Sequence, residues 1–185
     1  MRLKRIFIVM IALIVLTSGV ALANSNKVKV LLNGNNIGEI GEMVDGAVYL
    51  PMRKLAESMQ AVAHWDVSGK KAHLYKPNVH ILIYNGDTFF GMVEKGFNEK
   101  IRIIAQADNV KFNITSVRFS IVDPSNKETV IDTIKVDEPK DVYWFSSNEE
   151  RYRFSAKGDY IIKCYFMTDL SNDWVLVGEK YIPST

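Results

Sequence analysis

The chain has 185 residues, 23 basic and 21 acidic side chains, and a single cysteine. One cysteine excludes an intramolecular disulfide, so the fold rests on its hydrophobic core. The near balance of charge argues against a nucleic-acid partner, which needs a basic surface to neutralise phosphates.

The first segment has the pattern of a secretory signal. Arg2, Lys4 and Arg5 precede an apolar run from Ile6 to Leu16, and Ala21-Leu22-Ala23 gives a small-x-small cleavage site. The run is shorter than the ~20 residues that span a bilayer. No cysteine lies directly after it, so a lipobox is not formed. Residues 1–23 are therefore expected to be removed on export, leaving no membrane span. They carry three basic and no acidic side chains, so the remainder has 20 against 21, a formal charge of −1.

Lys27 to Leu32 is rich in β formers, and Asn33-Gly34-Asn35-Asn36 is a turn signal. Gly38 to Gly46, with its glycines among acidic residues, reads as a loop. Val48-Tyr49-Leu50 is a short strand. Pro51 follows where proline suits the first position of a helix. Met52, Leu55, Ala56 and Met59 then recur at i, i+3, i+4 and i+7, a single apolar stripe. Arg53 and Glu57 are spaced to pair on the opposite side.

Ala61–Asp66 and Lys71–Tyr75 read as a hairpin around Ser68-Gly69. In that register Trp65 faces Ala72 and Ala63 faces Leu74, and these are expected to form the core side. His64 and His73 then face each other on the outer side, near enough to share a metal ion. Two ligands fall short of a zinc site. His80 and Asp66 could add to them, but a solvent-facing pair is the plainer reading, and no metal site is assigned. Asn85-Gly86 offers a second hairpin turn between Val79–Tyr84 and Thr88–Val93. That hairpin is expected to finish a first domain near Lys95-Gly96.

From Phe97 onward the pattern is strands only. Lys100–Ala107, Ser116–Val122, Thr129–Val136, Val142–Phe145, Tyr152–Ser155, Tyr160–Met167 and Trp174–Ile182 are seven short β segments, separated by turn-forming stretches. Seven alternating strands in this length predict an immunoglobulin-like sandwich. Tyr160, Ile162, Cys164 and Phe166 fall on one apolar face of a strand, which predicts a buried, inert Cys164.

The ordered block around the helix carries a family resemblance. Val30-Leu31-Leu32-Asn33-Gly34, Asp45-Gly46, Tyr49-Leu50-Pro51-Met52-Arg53-Lys54-Leu55-Ala56-Glu57, Ala61-Val62 and Trp65-Asp66 occur in the order of the copper amine oxidase N-terminal-like stalk domain. The block resembles that domain well over residues 27–75 and loosely over 76–95. Met52 replaces the usual leucine, a volume-conserving change. Gln60 stands where the family places glycine, and a left-handed backbone there would strain it by roughly 1 kcal/mol. The resemblance implies an exported accessory module, of a kind abundant in Gram-positive bacteria. It implies no copper or quinone, which belong to other domains of those oxidases.

The expected architecture is mainly β: a signal peptide (1–23), a small stalk-like domain with one short α-helix (24–96), and an immunoglobulin-like antiparallel sandwich (97–185). The sequence contains no G-x-S-x-G, H-E-x-x-H, P-loop or C-x-x-C. No catalytic residue and no cofactor is assigned. Trp144, inside Tyr143-Trp144-Phe145, and Trp174, at a strand start after a turn, are the candidate ligand-binding residues. Exposed aromatic faces suit sugar rings or partner proteins, although core placement is the plainer reading of both. The expected function is a secreted, non-catalytic binding or spacer module at the cell envelope, with wall polymer or a surface protein as partner. The competing reading is a regulator or inhibitor of a secreted enzyme, acting through loops such as Asp137–Asp141 or Asp169–Asp173.

Overall fold

The computed structural model describes residues 26–140 and 142–185; the expected signal segment, 1–23, lies outside them. Strand β1 (Lys27–Leu32), β2 (Asn35–Val44) and β3 (Ala47–Tyr49) form an antiparallel three-stranded sheet. Its two turns, Asn33-Gly34 and Asp45-Gly46, hold both residues at positive φ. That conformation matches the twist of a tight hairpin and selects Asn, Asp and Gly. The loop expected over Gly38–Gly46 is instead mostly strand β2. Its glycines serve the sheet: β1 and β2 slip register on either side of Val30. At Gly41 an added Cβ would lie 3.0 Å from both Leu50 Cδ2 and Val28 Cβ.

Pro51 is the residue that precedes helix α1 (Met52–Ser58), one position earlier than expected. Its carbonyl accepts the first helical bond from Leu55 N–H at 3.1 Å. The expected stripe is correct: Met52, Leu55 and Met59 are half-buried and Ala56 is buried. Glu57 pairs with Lys54 at 2.9 Å, not with Arg53.

The helix ends on a Schellman motif. Ala61 N–H donates to Ala56 C=O at 2.9 Å and Gln60 N–H donates to Glu57 C=O at 3.1 Å. Gln60 therefore takes the left-handed position, at φ 55°.

Strands β4 (Val62–Asp66) and β5 (Lys71–Tyr75) pair in the expected register, with His64 opposite His73 and Trp65 opposite Ala72. The face is reversed. Val62 is fully buried and belongs to the main core, whereas Trp65 is 52% exposed and Leu74 is exposed. The side carrying Val62, His64, His73 and Tyr75 is the one that packs. Tyr75 stacks on His73 and its ring meets Phe112 at 5.9 Å. Trp65 suggested the wrong side because one large apolar residue outweighed two histidines. Those histidines contribute ring faces, not only polar edges.

The remaining strands form a β-sandwich. They are β6 (Asn78–Asn85), β7 (Thr88–Phe90), β8 (Asn98–Asp108), β9 (Ile114–Val122), β10 (Glu128–Lys135), β11 (Tyr143–Ser146), β12 (Glu150–Arg153), β13 (Gly158–Thr168) and β14 (Ser171–Ser184). One sheet has the order β10-β9-β13-β14. The other has β11-β8-β6-β7, with β12 also on β8. β6 pairs with β8 from Asn78↔Asp108 to Tyr84↔Arg102. The hairpin expected to finish the first domain thus supplies the sandwich with a strand, and sheet pairing crosses the expected border at 96/97.

β11 and β12 follow one another along β8 with a break at Ser147. There the side chain mends the ladder: Ile103 N–H donates to Ser147 Oγ and Ser147 N–H donates to Ile103 C=O, both at 2.9 Å.

The core lies between the sheets. Ile101, Ile103, Ala105 and Ala107 face Val117, Phe119, Ile121, Ile162, Cys164 and Phe166. Each of the large side chains contributes about 1.5–3 kcal/mol on burial. Tyr160 is buried, and its hydroxyl accepts the Ala156 backbone N–H at 2.9 Å. That bond matches the one made in a tyrosine corner. Among the described residues no helix is long and apolar enough to cross a membrane.

Candidate functional site

The helix and first hairpin dock against β14. Ala56, Ala61 and Val62 are buried there. Gln60 Nε2 donates to Glu179 Oε2 at 3.1 Å, and Lys76 Nζ donates to the Gln60 carbonyl at 3.2 Å. Lys163 approaches the other oxygen of Glu179 at 3.8 Å. These contacts leave a cleft beside the junction, with a volume of about 630 Å³. That size lies within the ~300–1,000 Å³ range of small-molecule sites.

Both parts of the chain supply its walls. From the helix and β4 come Arg53, Glu57, His64 and Trp65; from β13 and β14 come Tyr165, Asp173, Trp174 and Leu176. Trp174 is half-buried, and the Arg118 guanidinium carbon lies 4.0 Å from its ring centroid. That is well inside cation–π range. Arg118 Nε is buried without a hydrogen-bond partner among the described residues. Trp174 lines the cleft and Arg118 does not.

Tyr165 is also held. Its hydroxyl donates to Glu128 Oε1 at 2.8 Å, and Ser120 Oγ donates to the same oxygen. Burial disfavours the Glu128 carboxylate. The hydroxyls of Ser120 and Tyr165, with the charges of Lys163 and Arg118, outweigh that and hold its pKa below the ordinary value. Burial, and then the bond to Glu128, push the Tyr165 phenol up.

The two tryptophans singled out from sequence are not brought together. Trp144 stands 66% exposed on β11 between buried Tyr143 and Phe145, so alternation turns it outward. It borders a separate groove with Asp137, Glu138 and Lys140. Asp141, the end of that expected contact loop, lies outside the described residues. The second expected loop, Asp169–Asp173, supplies Ser171 and Asp173 to the main cleft. Its Asp169 carboxylate is occupied by the backbone and side-chain amides of Asn113 at 3.1 and 2.8 Å.

The histidine pair faces as the register required, with ring centroids 6.0 Å apart. It is half-buried, not solvent-facing, and Tyr75 Oη is hydrogen-bonded to His73 Nδ1 at 3.1 Å. His80 is exposed on β6 opposite Gln106, in another sheet. Asp66 caps its own turn. The Gly69 N–H and the Ser68 hydroxyl, in that order, hold its pKa below the ordinary value.

The sequence reading missed Trp65, Arg53 and Arg118 as parts of this site. Arg118 had a signal: Val117 and Phe119 flank it on a strand, which turns it outward. Its partner across the sheet depends on the β9–β13–β14 register, which no local pattern sets. No family model matches the chain, and no curated protein matches it.

Proposed function

We propose that this chain is an exported, non-catalytic module of the cell envelope. In this reading a stalk-like unit and an immunoglobulin-like sandwich together bind wall polymer. The observation that carries the reading is the cleft at their junction. It combines two indoles, one half-exposed and one stacked against Arg118, with donors and acceptors from both units. Such a site suits a ligand with apolar faces and many hydroxyls.

The immunoglobulin-like assignment is supported by strand order. β6-β8-β11/β12 opposes β10-β9-β13-β14, as A-B-E opposes C′-C-F-G in such sandwiches. The stalk-like assignment is supported by the sequence block from Val30 to Asp66. The non-catalytic part of the reading comes from the sequence, which carries none of those catalytic motifs; its single thiol is buried.

The test is co-sedimentation of residues 24–185 with purified Gram-positive cell walls, with and without teichoic acid. Saturable retention is expected. Protein left in the supernatant at every wall concentration would overturn the reading.

One observation favours a second reading, a protein-binding regulator of a secreted enzyme. Trp144 projects beside a groove on another part of the surface, and exposed tryptophans are common anchors of protein interfaces. Co-purification with one secreted enzyme, lost in Trp144→Ala, would support it.

A further inference from the structure

Resting on the wall-binding reading, we propose that the Trp65–Trp174 cleft binds an uncharged N-acetylated glycan segment, and not a phosphate polymer. Two features of the cleft decide between these chemistries.

The first is charge. The ionised side chains that line the cleft are Arg53, Glu57 and Asp173. Glu57 is already paired with Lys54 at 2.9 Å. One arginine against one remaining carboxylate gives no cationic excess, which a polyanion requires. The same groups, with His64 and Ser171, do offer both donors and acceptors. Hydroxyl and acetamido groups need both.

The second is the state of Trp174. Arg118 rests on the ring, its guanidinium carbon 4.0 Å from the centroid, and already supplies a cation to this indole. A second cation at the same ring would meet the repulsion of that guanidinium, so a quaternary ammonium or amine ligand is disfavoured. A flat, neutral, C–H-rich sugar face pays no such penalty. The arginine also fixes the ring's plane before ligand arrives, which lowers the ordering cost of binding. Trp65 lies on the opposite unit and is half-exposed in the free protein, so ligand can cover it without displacing any core contact.

The chain has three tryptophans, and two of them line this cleft. Trp144→Phe therefore makes intrinsic fluorescence a reporter of the cleft alone. The experiment titrates this variant with the β-1,4-linked tetramer of N-acetylglucosamine and, separately, with polyglycerol phosphate and choline. The expected result is a saturable change with the tetramer only. In the same background Trp65→Ala should weaken the tetramer about tenfold, the loss of one aromatic contact, while the variant still unfolds in one cooperative transition. A half-exposed side chain makes that variant a safe one to fold.

No saturable change with the tetramer, or a change with polyglycerol phosphate or choline in its place, overturns the inference. So does unaltered tetramer affinity in Trp65→Ala. These failures are distinct from failure of the wall-binding reading. Retention on walls without tetramer binding sinks the inference and leaves the reading standing. Tetramer binding without retention on walls does the reverse.

Discussion

Gln60 and Glu179 are separated by 119 residues in sequence and joined by one hydrogen bond, Nε2 to Oε2 at 3.1 Å. Gln60 also holds a left-handed backbone, φ 55°, where glycine would be relaxed. Its side chain makes a contact with β14 that glycine could not make. The cost of the backbone, roughly 1 kcal/mol, is of the size that one hydrogen bond to a charged group returns.

Gln60→Gly is therefore expected to leave global stability within about 1 kcal/mol of the parent, because relief of strain offsets the lost bond. The bond itself should appear as coupling. A double-mutant cycle of Gln60→Gly with Glu179→Ala, read by urea unfolding, should give about 1 kcal/mol. A coupling energy of zero would show that the contact does not help hold the helix end to β14.

The two faces of the first hairpin differ in consequence. Val62→Ala opens space in the main core and should cost about 2 kcal/mol. Trp65→Ala removes a larger ring, but one that is 52% exposed and leaves no cavity in that core, and should cost less, about 1 kcal/mol. Thermal unfolding of the two variants side by side decides this. A larger loss for Trp65→Ala would return the core to the Trp65 face.

This hairpin also shows what sequence can and cannot carry. Register was legible, because the turn residues and the period of two fix which residues oppose each other. The buried face was not, because it depends on what the hairpin docks against. The same holds across the molecule. The strands from Asn98 onward, the apolar face of β13 and the 52/55/56/59 stripe follow from local periodicity. The strand β2 was hidden by glycines that a bulged sheet requires. The placement of β6 was hidden because Asn85-Gly86 marks a hairpin but not the sheet it joins. Within the cleft, Trp174 was legible as an aromatic at a strand start. Trp65 was visible but assigned to the core, and Arg118 became relevant only through cross-strand register.

Glu128 should make part of the stability depend on acid pH. The Ser120 and Tyr165 hydroxyls and nearby cations lower its pKa in the folded state despite burial. A carboxylate with a depressed folded pKa contributes stability that is fully present above its unfolded pKa, near the ordinary 4.5. That stability is lost as pH falls through the lower folded value. Glu128→Gln should therefore be less stable than the parent at pH 7 and should lose less on acidification. Urea midpoints measured between pH 7 and pH 3 test it. Parallel curves for the two proteins would mean that the carboxylate contributes nothing through its charge.

Cys164 sits on β13 between β9 and β14, fully buried, and its thiol pKa is pushed up by burial. The thiolate is the reactive form, so native protein should resist an aromatic disulfide reagent. Because the thiol faces the sandwich interior from a central strand, exposing it requires the two sheets to separate. The free energy of opening derived from labelling rates should then equal the global unfolding free energy from urea titration. Labelling within seconds in native buffer would contradict the packing of β13. A labelling free energy well below the global value would mean that the two sheets part at Cys164 before the whole molecule unfolds.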